Sequence, residues 1–160
     1  MESRETQRSG GAGRPHPQGG GGPGGGRGRR SDDDHRQAIS QVFEIDYAQV
    51  MQVILHPEGD YNGFLEKLKR YVKARARNIT PHQLRNIFSR VKAAKAPGDL
   101  YRLRPQLAYV AGRAERDEMR ELVVLLDDLI KKVDSPDTLR NFRSFYEAII
   151  AYHKYFETGS

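Results

Sequence analysis

From His35 onward, apolar residues recur every three or four positions, the spacing that gathers them on one face of a helix. His35 to Leu55 carries Ile39, Val42, Phe43, Tyr47, Val50, Met51 and Ile54 in that rhythm, with room for a break near Asp46. His56-Pro57-Glu58-Gly59-Asp60 interrupts it with turn chemistry. Tyr61 to Arg77 resumes it with Phe64, Leu65, Leu68, Tyr71 and Val72. Thr80 offers a cap and Pro81 suits a first helical position, ahead of Leu84, Ile87, Phe88 and Val91. Pro97-Gly98 closes that unit as a turn. Asp99 to Arg113 then buries Leu100, Leu103, Leu107, Val110 and Ala111, with Pro105 either kinking this helix or marking its start. Glu115 to Val133 is strongly amphipathic and reads as core. Ser135-Pro136 opens a last helix lined by Leu139, Phe142, Phe145, Tyr146, Ile149, Ile150, His153 and Phe156. The pattern predicts an all-α fold, a compact bundle of five to six short helices over residues 35–160.

Residues 1–34 have almost nothing to bury. Gly19 to Arg30 reads GGGGPGGGRGRR, and glycine loses too much entropy on ordering without burial in return. The expectation is a disordered Gly/Arg-rich tail over 1–34 that folding does not need. Its reading as a solvated linker outweighs that of an RNA-sampling arm. Asp32, Asp33 and Asp34 do not preorganise a metal site; they suit the positive N-terminal end of the helix that follows.

The 160 residues fit one domain plus a tail. With no cysteine, neither a disulfide framework nor a thiolate metal site is possible, and a cytoplasmic home is the simplest expectation. No apolar run approaches the ~20 residues of a membrane span, so no membrane partner is expected. The net charge of +6 hides strong segregation. Residues 31–66 carry −7, residues 67–104 carry +11, and residues 105–160 carry −2. A basic middle in a small helical protein points to a polyanion, most often nucleic acid.

Two basic arrays stand out on the predicted helices. At 100° per residue, Arg85 and Lys92 share a flank of one helix, while Arg102, Gln106, Tyr109 and Arg113 form an outward row on the next. Two guanidiniums around an aromatic ring can hold phosphates and offer a face to a base or sugar. The plainer reading is an ordinary solvated face. A short turn at Pro97-Gly98 would lay the two helices antiparallel, so that both arrays share one side. There is no Walker glycine loop, no histidine ligand spacing, and no nucleophile paired with a base, so no enzyme activity and no cofactor or metal is expected. His153 reads as a packed histidine, and the neighbours Asp127 and Asp128 diverge around their helix.

Three motifs, ITPHQLRNIF at Ile79 to Phe88, LRPQLAYVAGR at Leu103 to Arg113 and FYEAIIAYHKYF at Phe145 to Phe156, follow in that order. Together they resemble the small all-helical subunit of type III-A CRISPR effector (Csm) complexes, over roughly Tyr61 to Gly159. The resemblance implies a non-catalytic RNA-binding subunit. Its copies would stack head to tail beside the backbone and large subunits, contacting crRNA and target RNA through backbone phosphates. It puts Arg85, Arg104, Arg113 and Lys154 at family motif positions and gives them the RNA-contact role. The tail and the His35 to Leu55 segment depart from the family's compact pattern. The alternative is a helix-turn-helix DNA-binding regulator reading bases from Thr80 to Lys92 with Gln83 and Asn86. A third reading, a pure protein-interaction bundle, has no nucleic-acid affinity.

Overall fold

Ser31 starts the first helix, four residues before the point where the apolar pattern begins. In the computed structural model, which describes residues 30–158, its hydroxyl accepts the Asp34 N–H at 3.1 Å while the Asp34 carboxylate accepts the Ser31 N–H at 3.1 Å. This reciprocal cap draws Asp32, Asp33 and Asp34 into the first turn of α1 (Asp32–Phe43), where the helix dipole favours them. The expected tail therefore ends before Ser31; residues 1–29 lie outside the described residues. The break near Asp46 is real. Glu44 takes a left-handed φ of 61°, Ser40 Oγ donates to the Ile45 carbonyl at 2.5 Å, and α2 (Tyr47–Leu55) starts afresh. Lys67 Nζ donates to the Phe43 carbonyl at 3.2 Å, satisfying one acceptor that the end of α1 leaves over.

The carboxylate of Asp60 caps α3 (Tyr61–Arg75) by accepting the Gly63 N–H at 2.9 Å, and a 3₁₀ turn, Ala76–Asn78, follows. Thr80 occupies the N-cap of α4 (Pro81–Ala93), but its side chain makes no capping bond. Pro97-Gly98 does not end a unit as expected. It opens a short helix, α5 (Pro97–Tyr101), because the Asp99 carboxylate gathers the Lys95 and Ala96 N–H groups at 2.9 and 3.2 Å. Of the two roles open to Pro105, the structure takes the second: it lies in the first turn of α6 (Arg104–Arg113), where a missing N–H costs nothing. The chain closes with α7 (Asp117–Lys132) and α8 (Pro136–Thr158). Ser135 Oγ accepts the Thr138 N–H at 3.1 Å to start α8. The fold is all-helical as predicted, with the 35–55 and 99–113 patterns each split in two.

The helices form two groups. α2, α3 and α4 pack around α8, whose Phe142, Phe145, Tyr146 and Ile149 are fully buried, and α5 and α6 pack on α7. α1 joins the groups by lying against both α3 and α7. Phe43 stacks on Phe64 at 5.0 Å and meets Tyr71 at 5.7 Å, which ties α1 to α3 by aromatic contact. Two buried carboxylates, both on α7, complete the join. Glu121 accepts the Tyr71 hydroxyl at 2.8 Å and Arg75 Nε at 2.5 Å. Asp128 accepts Arg36 Nε at 2.8 Å and the Tyr47 hydroxyl at 2.7 Å, with Lys131 Nζ at 3.2 Å. Burial by itself would raise the Asp128 pKa, but the hydrogen bonds from Arg36, Tyr47 and Lys131 together hold it below the usual carboxyl range. Burial, reinforced by the adjacent carboxylates, pushes the Tyr47 and Tyr71 phenols up, so both stay neutral donors. No helix among the described residues is long and apolar enough to cross a membrane.

Two predictions follow from these joins. Extending a truncation from residue 30 to residue 34 removes the Ser31 cap and Asp33, which pairs with Arg36 at 2.8 Å. The longer cut is expected to lower stability by about 1 kcal/mol relative to the shorter one in urea unfolding. Equal midpoints would show that the cap contributes nothing. Because the folded Asp128 pKa is depressed, its stabilisation is present above the ordinary carboxyl pKa and is lost as pH falls below it. Asp128→Asn should destabilise at neutral pH by roughly 2–3 kcal/mol, since Arg36 keeps some access to water, and should weaken the loss of stability with acid. An unchanged slope between pH 5 and 2 would exclude Asp128 as an acid-sensitive group.

Candidate nucleic-acid interface

The basic run is divided by what each cation already holds. Arg75 is used by Glu121, and Lys67 by the end of α1 and Glu44 at 3.7 Å. Arg104 donates to both Asp127 oxygens, at 2.7 and 3.4 Å, so the resemblance-derived Arg104 is already engaged in an exposed ion pair. Asp127 and Asp128 diverge as expected, one outward to Arg104 and one inward to Arg36. Lys69, Arg70, Lys73, Arg77, Arg90, Lys92, Lys95 and Arg102 make no ion pair among the described residues. What remains for a polyanion is thus concentrated on the second half of α3, the 3₁₀ turn, and the C-terminal part of α4 with the link into α5.

Arg102, Gln106, Tyr109 and Arg113 do not form one uninterrupted row. Arg102 is the C-cap of α5, and α6 begins two residues later because Pro105 has no N–H to continue the ladder. Gln106, Tyr109 and Arg113 stay on one face of α6. Tyr109 is 62% exposed, and Arg113 Nη1 donates to its hydroxyl at 2.9 Å with the guanidinium carbon 5.7 Å from the ring centre. The two arrays are also carried by different partners, α4 packing on α8 and α6 on α7. Their link is local. Arg113 and Arg116 share a cleft of about 480 Å³ with Asn78, Thr80, His82 and Gln83 at the start of α4.

Two groupings were not read from the sequence. Lys92 and Lys95 line a second cleft of about 480 Å³ with Arg140 and Arg143 of α8. Arg143 also donates to the Ala94 carbonyl at 2.6 Å, which satisfies the end of α4, while Arg140 pairs with Asp137 at 2.9 Å. At the other end of α8, Lys69 Nζ lies 5.2 Å from the centre of the exposed Tyr155 ring, and Lys73 Nζ lies 6.0 Å from that of Phe156. Arg85 and Lys154 flank Glu157 there, at 3.9 and 3.7 Å. The signal was available: at 100° per residue Arg140, Ser144, Ala151, Lys154 and Tyr155 fall on one arc of α8 away from its apolar stripe. Glu147 is the acid on that arc. His153 is packed as expected, its Nε2 donating to the Ala76 and Ile79 carbonyls, each at 3.1 Å.

Residues 61–159 match the protein family described as Csm2 Type III-A. No curated protein and no solved structure matches the chain.

If pre-existing ion pairs decide which cations are available, Lys69→Ala with Lys73→Ala should lower the salt needed to elute the protein from heparin. Arg104→Ala should hardly move it, and Asp127→Asn should raise it by releasing Arg104. A larger loss from Arg104→Ala than from the α3 pair would reverse this ranking.

Proposed function

The chain belongs to the Csm2 family and is a structural small subunit of type III-A CRISPR effector complexes, the antiviral Csm assemblies; from this premise we propose that it holds RNA through backbone phosphates without reading sequence. The observation that carries this reading is the cluster of cations left without a carboxylate partner on α3, the 3₁₀ turn and α4. A structural ion-pair network would have absorbed them, as it absorbs Arg36, Arg75 and Arg104. Lys92 and Arg102 belong to this surface, exposed Arg113 stands beside it with Tyr109 as an aromatic face, and Arg85 and Lys154, exposed but shared with Glu157, border it. Where base pairing between crRNA and target sets sequence, a subunit that follows the strands needs phosphate contacts and no base code. The absence of a catalytic role belongs to the same proposal.

The full chain should bind unrelated RNA sequences about equally, with log affinity falling against log salt by about 0.7 per phosphate neutralised on a single strand. Arg102→Ala with Arg113→Ala, and Arg85→Ala with Lys92→Ala, should each flatten that slope without changing the thermal midpoint. Lys131→Ala with Lys132→Ala is the control, since Lys131 is held by Asp128 and both close the end of α7. Equal losses from the control would place the surface elsewhere, and preference for one duplex DNA sequence would favour a helix-turn-helix regulator.

We further propose head-to-tail contact between copies, with the acidic 31–66 stretch of one facing the basic 67–104 stretch of the next. All eight acids of that stretch are exposed, Glu44, Asp46, Glu58 and Asp60 among them. Reversing Glu44, Asp46 and Glu58 to lysine, and so sparing the Asp60 cap, should impair assembly with the backbone subunits at low salt. Unchanged assembly would remove the electrostatic account of stacking.

A further inference from the structure

Four cations converge on one cleft between the end of α4 and the start of α8, and no carboxylate lines it. The cleft, about 480 Å³, falls in the size range of small-ligand sites. Lys92 and Lys95 come from the end of α4 and the link after it, and Arg140 and Arg143 from α8, with the buried Ala94 and Leu139 as apolar lining. Only Arg140 has an acid of its own, Asp137 at 2.9 Å. Lys92 lies 5.7 Å from the centre of the Phe88 ring, a contact that leaves its charge uncompensated. Lys92, Lys95 and Arg143 make no ion pair among the described residues. Arg143 is held in place by Nη2, which donates to the Ala94 carbonyl at 2.6 Å, while its buried Nε meets no protein acceptor. The other acids close by in sequence are occupied. Asp99 accepts the Lys95 and Ala96 backbone N–H groups, and Asp134 lies 3.5 Å from the Thr138 hydroxyl. Three positive charges therefore meet in one concavity without a carboxylate partner. An ordinary solvated face spreads its cations outward. A cleft lined by one sign of charge focuses the field on whatever enters it.

We propose that this cleft binds a phosphate monoester, the group carried by the end of an RNA strand or by a free nucleotide. A monoester gathers about −1.5 to −2 charges on three acceptor oxygens at neutral pH. A phosphodiester within a strand carries a single charge. Three uncompensated cations in one place match the first better than the second. Arg143 supplies an oriented, partly buried donor, and Lys92 and Lys95 supply adjustable point charges. An acceptor beside the guanidinium also offsets the cost of a charged donor that is buried unpaired. The inference goes beyond the strand-holding reading. Cations along α3 and α4 act on any phosphate backbone, whereas this cleft distinguishes the end of a strand from its interior. A free nucleotide would occupy it even if strands were not held at all.

The test uses the full chain and one RNA oligonucleotide carrying a 5′-phosphate, a 3′-phosphate or neither. Adenosine 5′-monophosphate compared with adenosine is the free-nucleotide arm. A terminal phosphate should tighten strand binding about tenfold over the unphosphorylated form. The monophosphate, but not adenosine, should raise the thermal midpoint. Lys95→Ala with Arg140→Ala should remove both preferences and leave the midpoint of the unliganded protein unchanged, because both side chains are exposed. Lys69→Ala with Lys73→Ala, at the other end of α8, should weaken all three strands by a common factor and keep the preference. A preference among strands alone identifies the strand end as the source, and a midpoint shift alone identifies the free nucleotide; either supports the site. Equal binding of the three strands with an unmoved midpoint would overturn the proposal and leave the strand-holding reading intact. A preference that survives Lys95→Ala with Arg140→Ala, or that disappears with the α3 pair, would overturn it too, since the phosphate would then sense the whole surface. If the wild type binds none of the strands, the strand-holding reading fails and the monophosphate arm alone decides the cleft.

Discussion

Two carboxylates buried on one helix govern how this bundle goes together. Glu121 and Asp128 lie seven residues apart on α7, two turns along the same face, and are 3% and 7% exposed. A buried carboxylate without partners is costly, so each requires a cation and a hydroxyl from elsewhere in the chain. Arg75 and Tyr71 of α3 serve Glu121; Arg36 of α1 and Tyr47 at the start of α2 serve Asp128. Apolar packing holds α2, α3 and α4 around α8, and α5 and α6 on α7. The directional bonds to these two acids join α1, α2 and α3 to α7.

The same requirement shapes the outer surface. Each cation drawn inward, or fixed to a helix end as Lys67, Arg120 and Arg143 are, no longer counts fully towards a surface field. The basic character evident in the sequence is thereby sorted into structural cations and a remainder. That remainder lies along α3, the 3₁₀ turn and α4, with exposed rings at Tyr109 and Tyr155 beside further cations. The proposed RNA-holding role rests on this remainder and not on the net charge.

The family match covers residues 61–159, yet the fold does not stop at its edge. Ile39, Phe43, Val50 and Ile54 of α1 and α2 are almost wholly buried, and Asn141 of α8 donates to the Leu55 carbonyl at 2.8 Å. α1 and α2 are thus part of the bundle, and they supply half of the polar join to α7. Asp32, Asp33 and Asp34 lie on α1, and Glu44 and Asp46 lie between α1 and α2, so part of the acidic stretch is built into the same bundle as the basic one.

Periodicity and local residue chemistry determined the helical class, the core faces, the cap at Ser135 and the break near Asp46 between α1 and α2, because these depend on contacts within a few residues. The Asp32–Asp34 cluster was likewise legible as helix-terminal acid, although the cap that uses it moved the start to Ser31. The row from Arg102 to Arg113 failed at Pro105, where one missing N–H outweighed a continuous apolar pattern. Tertiary structure decided which charges remain available. Arg104 and Lys92 look alike in sequence, but Asp127 lies 23 residues from Arg104 and reaches it only because α6 packs on α7. Lys69 and Tyr155 are similarly joined only by the packing of α3 on α8. Helical periodicity says which way a side chain faces; what stands opposite it is set by long-range packing, and for a charged or aromatic side chain that neighbour determines whether it is structural or free to bind.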